Sequence, residues 1–347
     1  MKLTWRRITA HTKHAFKIAR AGSSVSDGGK AVERTIISIE HDGIIGLGEA
    51  APTPFYNQTL DSVETALAQM EPLLGNTPDD VEAIVARLLE KFDGDRAAVS
   101  AVDMALHDLW GKREGKPIWQ LYGYDRSKIQ PTSMTIGIDD VALLPQKVSE
   151  TAGFDILKIK VGMPNDVETL TELRKLAPDR KIRVDANCGW EPGELTKRIR
   201  EVTPFDLELI EQPTATHQFD ALREARKTSP IPLVADEDSA KPSDVEALAG
   251  VYDGVNIKLS KCGGICEARK MIATARRLDM KIMLGCMVET SLGVSAAAQI
   301  ASEVDYVDLD GHLLLADDPF MGLILESGIV RPSNQPGLGV REEPTNH

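Results

Sequence analysis

The sequence predicts an α/β fold in which a barrel of parallel strands follows an N-terminal α+β domain. Eight short β-rich runs recur after residue 131, and amphipathic helical segments lie between them. Seven of the eight runs end in or near a polar group, and a parallel barrel gathers its functional groups at those carboxyl-terminal strand ends. The 347 residues exceed one ordinary domain, which leaves room for the additional N-terminal unit.

The spacing of the runs identifies the repeating unit. Successive runs start 23 to 27 residues apart, which fits one strand, a loop, a helix of about 10–12 residues and a second loop. Eight such units match a (β/α)8 barrel, although their number alone also allows a doubly wound open sheet. The polar groups at the strand ends favour the barrel. The runs start at Thr132, Ile156, Lys181, Leu207, Ile231, Gly254, Lys281 and Tyr306.

The N-terminal part of the chain has a different pattern. Two β-rich stretches, 33–43 and 44–50, meet at Asp42-Gly43, which is typical of a hairpin turn, and three helical segments follow. Strands followed by helices predict an α+β domain. The last 30 residues are rich in Gly and Pro, and we expect them to pack back on that domain. The predicted limits are 1–125 with 318–347 for the α+β domain and 126–317 for the barrel.

Charge and composition exclude some classes of partner. The chain has 40 basic and 53 acidic residues, a net charge of −13, which argues against nucleic acid and anionic membranes as partners. Its four cysteines lack CxxC spacing and are expected to be buried thiols in a reducing compartment, with a zinc site or a disulfide as the alternatives. No segment has the length of a signal peptide or a membrane span, so we expect a cytoplasmic protein.

Three acids lie at successive strand ends. Asp185, Glu211 and Asp236 are 26 and 25 residues apart, one barrel unit each, so they should lie side by side on one rim. Three converging carboxylates repel one another unless a cation lies between them, and all-oxygen ligation suits Mg²⁺ better than zinc. Taken alone, each acid could instead cap a helix. Their common register predicts a magnesium site.

Lysines flank the three acids. Lys158 and Lys160 share one face of the second run, and Lys258 ends the sixth run, across the predicted barrel. Two bases that face one carbon are what a 1,1-proton transfer needs, because one removes the proton and the other returns a proton to the opposite face. A metal ion bound to a substrate carboxylate would stabilise the enediolate that forms. We expect neighbouring positive charge to lower the pKa of a lysine that acts as base.

Five short segments resemble the enolase superfamily in its muconate-lactonizing-enzyme subgroup. They are KIK (158–160), DAN (185–187), EQP (211–213), ADE (235–237) and NIK (256–258). In addition, SAVDMALHDLWGK from Ser100 and GEAAP from Gly48 are similar to the superfamily's capping domain and its junction with the barrel. The resemblance covers nearly the whole chain.

This resemblance implies a modified TIM barrel, (β/α)7β, with an N-terminal α+β capping domain that the C-terminal segment completes. It also implies a function for each residue of the site. Asp185, Glu211 and Asp236 would bind Mg²⁺, Lys160 and Lys258 would exchange the proton, Lys158 would hold the substrate carboxylate, and Asn187 and Glu237 would support the ligands.

An acidic pair at the eighth run points to one branch of the subgroup. Asp308 and Asp310 are two residues apart on one face, which suits a cationic group such as a free α-ammonium. A DxD sequence at this position resembles the dipeptide epimerases, where it binds the amino terminus of the substrate. The first run, with Thr135 as a further substrate-binding candidate, and GCMVETSLG (285–293) are similar to the same branch. Alternatively, the pair caps a helix or binds Arg or Lys.

The substrate side chain is less well specified. In epimerases that act on Ala-Glu, a basic residue of the N-terminal loop helps to bind the glutamate carboxylate, and Lys17 and Arg20 are the candidates here. Ser291 stands where some of those enzymes carry another basic residue. Phe55 and Tyr56 could line an apolar pocket or pack in the core. We expect an epimerase, hence an isomerase, that inverts the C-terminal residue of Ala-Glu or of a dipeptide with a hydrophobic second residue.

Two other kinds of function stay open from the sequence. An o-succinylbenzoate synthase, N-acylamino-acid racemase or cycloisomerase would need the same acids and lysines but not the DxD pair. A non-catalytic binding protein on the same fold would need no opposed lysines. In each case we expect a small-molecule substrate or ligand and a possible homo-oligomer, although no segment has an interface signature.

Overall fold

The N-terminal part contains a small antiparallel sheet and three long helices. The computed structural model describes residues 1–15, 17–20, 24–25 and 29–343, with the backbone alone for residues 20, 24 and 25. The strands here are β1 (Lys2–His11), β2 (Ala19–Arg20), β3 (Ser24–Val25), β4 (Ala31–His41) and β5 (Ile44–Ala50). The helices are α1 (Leu60–Leu74), α2 (Val81–Phe92), α3 (Arg96–Glu114) and α4 (Ile118–Leu121).

The sheet has the order β1-β4-β5 and is antiparallel throughout. Asp42 and Gly43 form the turn between β4 and β5 with φ angles of 51° and 76°, the left-handed values that a two-residue hairpin requires. The hairpin was expected, whereas β1 was not. Because β1 is an edge strand with mostly exposed side chains, its sequence lacks the alternation of polar and apolar residues that marks a half-buried strand.

Helix α3 lies directly against β5. A Cβ atom at Gly48 would come within 2.0 Å of the Ala101 carbonyl oxygen, and one at Gly46 would come equally close to that of Ala105. Glycine on the strand and alanine on the helix therefore allow the two backbones to touch. This contact fixes the end of β5, where Glu49 faces the barrel.

The larger part of the chain is a barrel of eight parallel strands. Its strands are β6 (Met134–Ile136), β7 (Ile156–Lys160), β8 (Lys181–Asp185), β9 (Leu207–Glu211), β10 (Leu233–Ala235), β11 (Gly254–Ile257), β12 (Lys281–Gly285) and β13 (Tyr306–Asp308). Its helices are α5 (Leu144–Glu150), α6 (Asp166–Leu176), α7 (Leu195–Val202), α8 (Phe219–Thr228), α9 (Pro242–Leu248), α10 (Leu259–Cys262), α11 (Ile265–Arg277) and α12 (Ser291–Ala298).

The strands follow one another in chain order around the barrel, and a parallel bridge between Thr132 and Val307 joins the last strand to the first. Helices connect each strand to the next, and β13 leads into a short 3₁₀ turn, so the barrel is of the (β/α)7β type. The prediction of a barrel is confirmed, and a doubly wound open sheet is excluded. The main hydrophobic core lies between the strands and the surrounding helices.

The register of the barrel brings the predicted site residues together. Lys160 is the partner of Asp185 across β7 and β8, and Asp185 is the partner of Glu211 across β8 and β9. Each of these residues ends its strand, so their side chains meet at the carboxyl-terminal mouth of the barrel. Consecutive strand ends therefore supply a continuous row of charged groups.

The C-terminal segment forms two short strand pairs and returns to the N-terminal part. Its strands are β14 (Phe320–Met321), β15 (Ile324–Glu326), β16 (Ile329–Arg331) and β17 (Arg341–Glu342). The Leu338 amide donates a hydrogen bond of 2.8 Å to Asp108 on α3. The domain limits at 125/126 and 317/318 stay a prediction.

Short 3₁₀ turns occupy several loops of the described chain: Pro54–Tyr56, Asp93–Asp95, Arg126–Lys128, Val141–Leu143, Pro192–Glu194, Thr203–Phe205, Ala301–Glu303 and Gly311–Leu314.

The four cysteines are free thiols, and three of them are buried. None of the helices in the described ranges combines the length and the apolar character that crossing a bilayer requires.

Candidate active site

The three predicted acids form one compact buried group. Asp185 ends β8, Glu211 ends β9 and Asp236 follows β10, and one oxygen from each lies within 4.8 Å of the others. All three are buried. The Asn256 amide donates a hydrogen bond of 2.8 Å to one Glu211 oxygen and so orients that carboxylate.

The carboxylates influence one another strongly. Burial and the charge of Asp185 raise the pKa of Glu211 to about 8. Burial also acts to raise the pKa of Asp185, but Lys160 and Lys158 outweigh it and lower that pKa to about 2. At Asp236, Lys258 and Lys261 outweigh burial and hold the pKa well below its usual range. The group therefore carries negative charge that is costly to bury and that a cation would offset.

The residues present fit a hard divalent cation. The group consists only of carboxylates, it is shielded from water, and its oxygens are near enough to share one ion. Mg²⁺ prefers such oxygen ligands, whereas zinc sites usually contain Cys or His. Asp185, Glu211 and Asp236 would be the protein ligands.

Lysines lie on both sides of the carboxylate group. Lys160 ends β7 with its Nζ atom 2.6 Å from Asp185, and Lys258 follows β11 with its Nζ atom 2.8 Å from Asp236. Strands β7 and β11 are four positions apart in a barrel of eight, so these two side chains approach the mouth from opposite sides. Both are 8% exposed and line one cavity of about 310 Å³.

The ammonium of Lys158 lies among three carboxylates. Its Nζ atom is 2.6 Å from Glu211, 2.8 Å from Asp308 and 3.1 Å from Asp185. Burial would lower the pKa of Lys158, but these acids raise it well above its usual value. Asp236 and Glu211 likewise raise the pKa of Lys258 against the effect of burial. The lowered lysine pKa expected from the sequence therefore requires the charge of a bound cation in addition to the protein's own groups.

Three buried residues that sequence reasoning missed hold the acids in place. Lys261 donates hydrogen bonds of 2.6 Å to both the carboxylate and the carbonyl of Asp236. Asn256 binds Glu211, as described above. The Gln212 side-chain oxygen accepts hydrogen bonds from the Asp236 and Asp238 amides at 2.9 and 3.1 Å. For Asn256 a signal existed, because it lies two residues before Lys258 on the same strand face.

The two residues expected to support the ligands also line the cavity. The backbone amide of Asn187 donates a hydrogen bond of 2.9 Å to Asp185, and the side-chain amide of Asn187 donates one of 3.2 Å to Glu237. Asn187 has a φ of 42°, a left-handed conformation that Asn tolerates better than most residues. Burial and Asp236 raise the pKa of Glu237 to about 7.

The acidic pair at the end of β13, Asp308 on the strand and Asp310 just after it, is divided between two environments. Asp308 accepts hydrogen bonds from Lys158 at 2.8 Å and from the Ser133 hydroxyl at 2.5 Å. Asp310 accepts a hydrogen bond of 2.7 Å from the Thr135 amide. Burial and the charge of Asp308 raise the pKa of Asp310 to about 6. Asp308, Asp310 and Thr135 all line the cavity, so the structure brings this part of the predicted site together with Lys160 and Lys258.

The candidates for binding a substrate side chain are more scattered. Phe55, 38% exposed, and Tyr56 line the cavity, together with apolar residues such as Val32 and Met287. Lys17 is not among the described lining residues and lies near Asp139, whose pKa its charge helps to lower. The side chain of Arg20 lies outside the described residues. Ser291 begins α12 and donates a hydrogen bond of 2.7 Å to Asp318.

The N-terminal sheet fixes one wall of the cavity. Arg34 on β4 donates to the Val288 carbonyl, with its Nε atom at 3.0 Å. Glu49 on β5 accepts hydrogen bonds from the Thr290 amide at 3.1 Å and the Gly293 amide at 3.0 Å. Met287 and Val288, which line the cavity, are thus positioned by the N-terminal part as well as by the barrel.

A second group of possible metal ligands has a structural explanation. Single atoms of Asp103, His107 and Cys266 lie within 4.8 Å of one another. However, Asp103 accepts hydrogen bonds from the Ile265 and Cys266 amides, and His107 binds Tyr122 at 2.6 Å. The acid therefore caps helix α11 and joins it to α3.

Comparison with known families identifies the group to which the chain belongs. Residues 140–344 match the family model for an enolase C-terminal domain-like fold. Residues 12–123 match the N-terminal domain of mandelate racemase and muconate lactonizing enzyme. The chain belongs to the enolase superfamily. Within the superfamily it has the two-part organisation of the mandelate racemase and muconate lactonizing enzymes, as the resemblance of its short segments implied.

Relatives within the superfamily are similar over nearly their whole length. The chain is 37% identical to an L-Ala-D/L-Glu epimerase of Bacteroides thetaiotaomicron, covering 98% of this chain and 88% of the relative. It is 32% identical to a hydrophobic dipeptide epimerase of Roseobacter litoralis, covering 98% of each. It also resembles the crystal structure of a Methylococcus capsulatus dipeptide epimerase complexed with Mg and L-Arg-D-Lys, with a TM-score of 0.90, 32% identity and 98% coverage of both chains.

Proposed function

We propose that the protein is a magnesium-dependent dipeptide epimerase, an isomerase that inverts the α-carbon of the C-terminal residue. The observation that carries the proposal is the placement of Lys160 and Lys258 on opposite sides of a three-carboxylate group, in one cavity with Asp308 and Asp310. The relatives named above support the substrate class.

The two lysines account for inversion by a 1,1-proton transfer. One lysine, as the neutral amine, takes the α-proton, and the bonding electrons move into the adjoining carboxylate to give an enediolate. The other lysine, as the ammonium, then donates a proton to the opposite face of the same carbon. One proton leaves and one arrives, so substrate and product differ only in configuration. Because the lysines exchange roles, the reaction runs in both directions.

The remaining residues of the site bind and orient the substrate. Asp185, Glu211 and Asp236 would hold Mg²⁺, which when bound supplies positive charge to stabilise negative charge on the substrate carboxylate. Lys158 contributes a further positive charge beside these acids, and Asn187 and Glu237 support the group. Asp308 and Asp310, with the Thr135 amide, lie on the side of the barrel where the substrate ammonium would bind.

Ala-Glu is the first substrate to test, and a dipeptide with a hydrophobic second residue is the next. Lys17 or Arg20 would bind the glutamate carboxylate, whereas Phe55, Tyr56 and Met287 suit an apolar side chain. The relatives named above differ in this respect, with glutamate, hydrophobic and basic residues among their substrates or ligands. The second residue is thus the part of the substrate that varies.

Exchange of the α-proton for deuterium tests the substrate class. The protein is incubated with Mg²⁺ in D₂O and a panel of Ala-Glu, Ala-Phe, Ala-Leu and a basic dipeptide, with N-succinyl amino acids as the comparison, and deuterium is measured by NMR and mass spectrometry. We expect exchange and epimerisation only for dipeptides with a free ammonium. Exchange confined to N-acylated substrates would instead make the protein an N-acylamino-acid racemase, and no exchange with any compound would contradict both functions.

We propose further that the enzyme acts in the cytoplasm and forms a homo-oligomer. Its four free cysteines suit a reducing compartment. Cell fractionation tests the location, and light scattering of the purified protein tests the oligomeric state. Recovery in the periplasmic or membrane fraction, or a monomer at all concentrations, would contradict the respective part.

A further inference from the structure

A series of buried polar groups continues below the reaction centre toward the amino-terminal end of the barrel. The Ser133 hydroxyl, which donates to Asp308 at 2.5 Å, is completely buried just before β6. The Arg183 guanidinium lies 3.5 Å from that hydroxyl and donates to the Val307 carbonyl at 2.7 Å. These contacts connect the first, third and last strands of the barrel at the point where it closes.

Arg183 is an unusual residue for the interior of a barrel. It lies two residues before Asp185 on the same strand face and is 2% exposed. Glu208 pairs with its Nε atom at 2.6 Å, and the Tyr306 ring lies 5.3 Å from its guanidinium carbon. Arg183 is also the register partner of Lys158 on the neighbouring strand. Two cations thus occupy adjacent interior positions, and Asp308 and Ser133 connect them.

We propose that Ser133 and Arg183 are positioning residues for the reaction, which fix the Asp308 carboxylate and, through it, the Lys158 ammonium. The inference rests on the proposed epimerase function. One Asp308 oxygen binds Lys158 and the other binds Ser133, so the carboxylate cannot rotate without breaking a hydrogen bond. Arg183 in turn limits the position of the Ser133 hydroxyl. Asp308 is thereby held in one orientation beside Lys158 and Asp310.

A purely structural function does not explain why Arg183 and Ser133, rather than apolar residues, occupy this buried position. Filling the bottom of a barrel requires only volume, and well-packed apolar side chains can replace buried ion pairs without loss of stability. A buried arginine with directed hydrogen bonds instead defines the orientation of its partners. Here the partner at the end of the series is Lys158, which would hold the substrate carboxylate. A shift of that carboxylate would move the α-proton relative to Lys160 and Lys258.

Kinetics of Ser133→Ala test the proposal. Small misplacements of reacting groups cost up to about a hundredfold in rate, so loss of this single contact should lower kcat by about tenfold and change KM by less than about threefold. Ser295→Ala is the matched control, because Ser295 is also completely buried and its hydroxyl donates to the Leu338 carbonyl at 2.6 Å, away from Asp308. Both variants should lower Tm, but only Ser133→Ala should lower kcat.

Arg183→Lys provides a second measurement that keeps the positive charge beside Glu208. We expect a lower kcat, and we expect Ser133→Ala to cause less than about a twofold further loss in this variant, because both changes act on the same carboxylate. If the wild-type enzyme is active but Ser133→Ala and Ser295→Ala have the same kcat, or if the two losses multiply in the double variant, the positioning proposal is wrong. An inactive wild-type protein would instead contradict the proposed function itself.

Discussion

At the scale of single residues, Asp310 combines two properties that suit a binding group for an ammonium ion. It lines the cavity, and the Thr135 amide fixes its orientation at 2.7 Å. Burial and the nearby charge of Asp308 raise its pKa to about 6, so Asp310 changes its charge within the range in which enzymes are assayed. The neighbouring Asp308 behaves differently, because Lys158 and Ser133 outweigh burial and lower its pKa.

A pH dependence of substrate binding follows from this pKa. Above about pH 6 Asp310 is ionised and would attract the substrate ammonium, whereas below that pH it becomes neutral and that attraction would be lost. We expect KM for a dipeptide to rise as the pH falls through about 6. The change in KM is obtained from initial rates measured between pH 5 and 8 at saturating Mg²⁺.

Asp310→Asn is the control for this prediction. The variant should have a raised KM throughout and should lose the inflection near pH 6, because asparagine does not titrate. If the wild-type KM stays constant across this pH range, or if the inflection is still present in Asp310→Asn, a residue other than Asp310 binds the substrate ammonium.

The sequence was a good guide to the charged residues at the strand ends and a poor guide to their partners. Asp185, Glu211 and Asp236 could be predicted because a constant interval of one barrel unit places them on one rim. Lys261 and Arg183 could not, because a lone lysine or arginine in a sequence is usually a surface residue. Only the fold shows that both are buried against carboxylates.

At the scale of elements, the contact between β5 and α3 determines how the N-terminal sheet meets the barrel. Gly48 allows the backbones to touch, and the next residue, Glu49, reaches the loop after β12. The sequence predicted both elements separately. It did not predict the contact, because a glycine within a strand is equally compatible with a bulge.

Gly48→Ala should therefore be strongly destabilising. The added Cβ would lie 2.0 Å from the Ala101 carbonyl oxygen, and backbone cannot move aside as a flexible side chain can. We expect the free energy of unfolding to fall by about 3 kcal/mol or more, measured by denaturant titration. Gly94→Ala is the matched control: a Cβ there meets no atom within 4 Å, so its effect should stay within about 0.5 kcal/mol. Equal stability of the two variants would mean that the contact does not exist.

At the scale of the whole molecule, three neighbouring strands each bring a carboxylate to one buried site. Burying these negative charges without a cation destabilises the folded state. A ligand that binds only the folded state adds stability in proportion to its concentration, about 2.7 kcal/mol at a hundred times its Kd. We expect Mg²⁺ to raise Tm and EDTA to reverse the effect, as measured by differential scanning calorimetry.

Glu211→Gln separates a specific site from a general salt effect. The change conserves size and removes one charged ligand, so the variant should gain much less stability from Mg²⁺ than the wild type. Asp310→Asn, which leaves the three acids intact, should respond as the wild type does. If Mg²⁺ stabilised all three proteins equally, the carboxylate group would not be its binding site.

The overall architecture was predicted more completely than the entrance to the cavity. The barrel follows from a period repeated eight times, and each repeat supports the others. The entrance depends on single loops, such as that containing Phe55 and Tyr56, for which one sequence offers no repeated pattern. The substrate side chain is consequently the part of the function that sequence and fold constrain least.

The two-base mechanism is tested most directly by following each epimer of one dipeptide separately in D₂O with Lys160→Ala and Lys258→Ala. Circular dichroism first establishes that both variants are folded. We predict that neither variant epimerises, and that each still exchanges the α-proton of one epimer only, with the opposite epimer for the other variant. Epimerisation at a near-wild-type rate by either variant would show that Lys160 and Lys258 do not act on opposite faces of the substrate. Exchange of the α-proton of the same epimer by both variants would show the same.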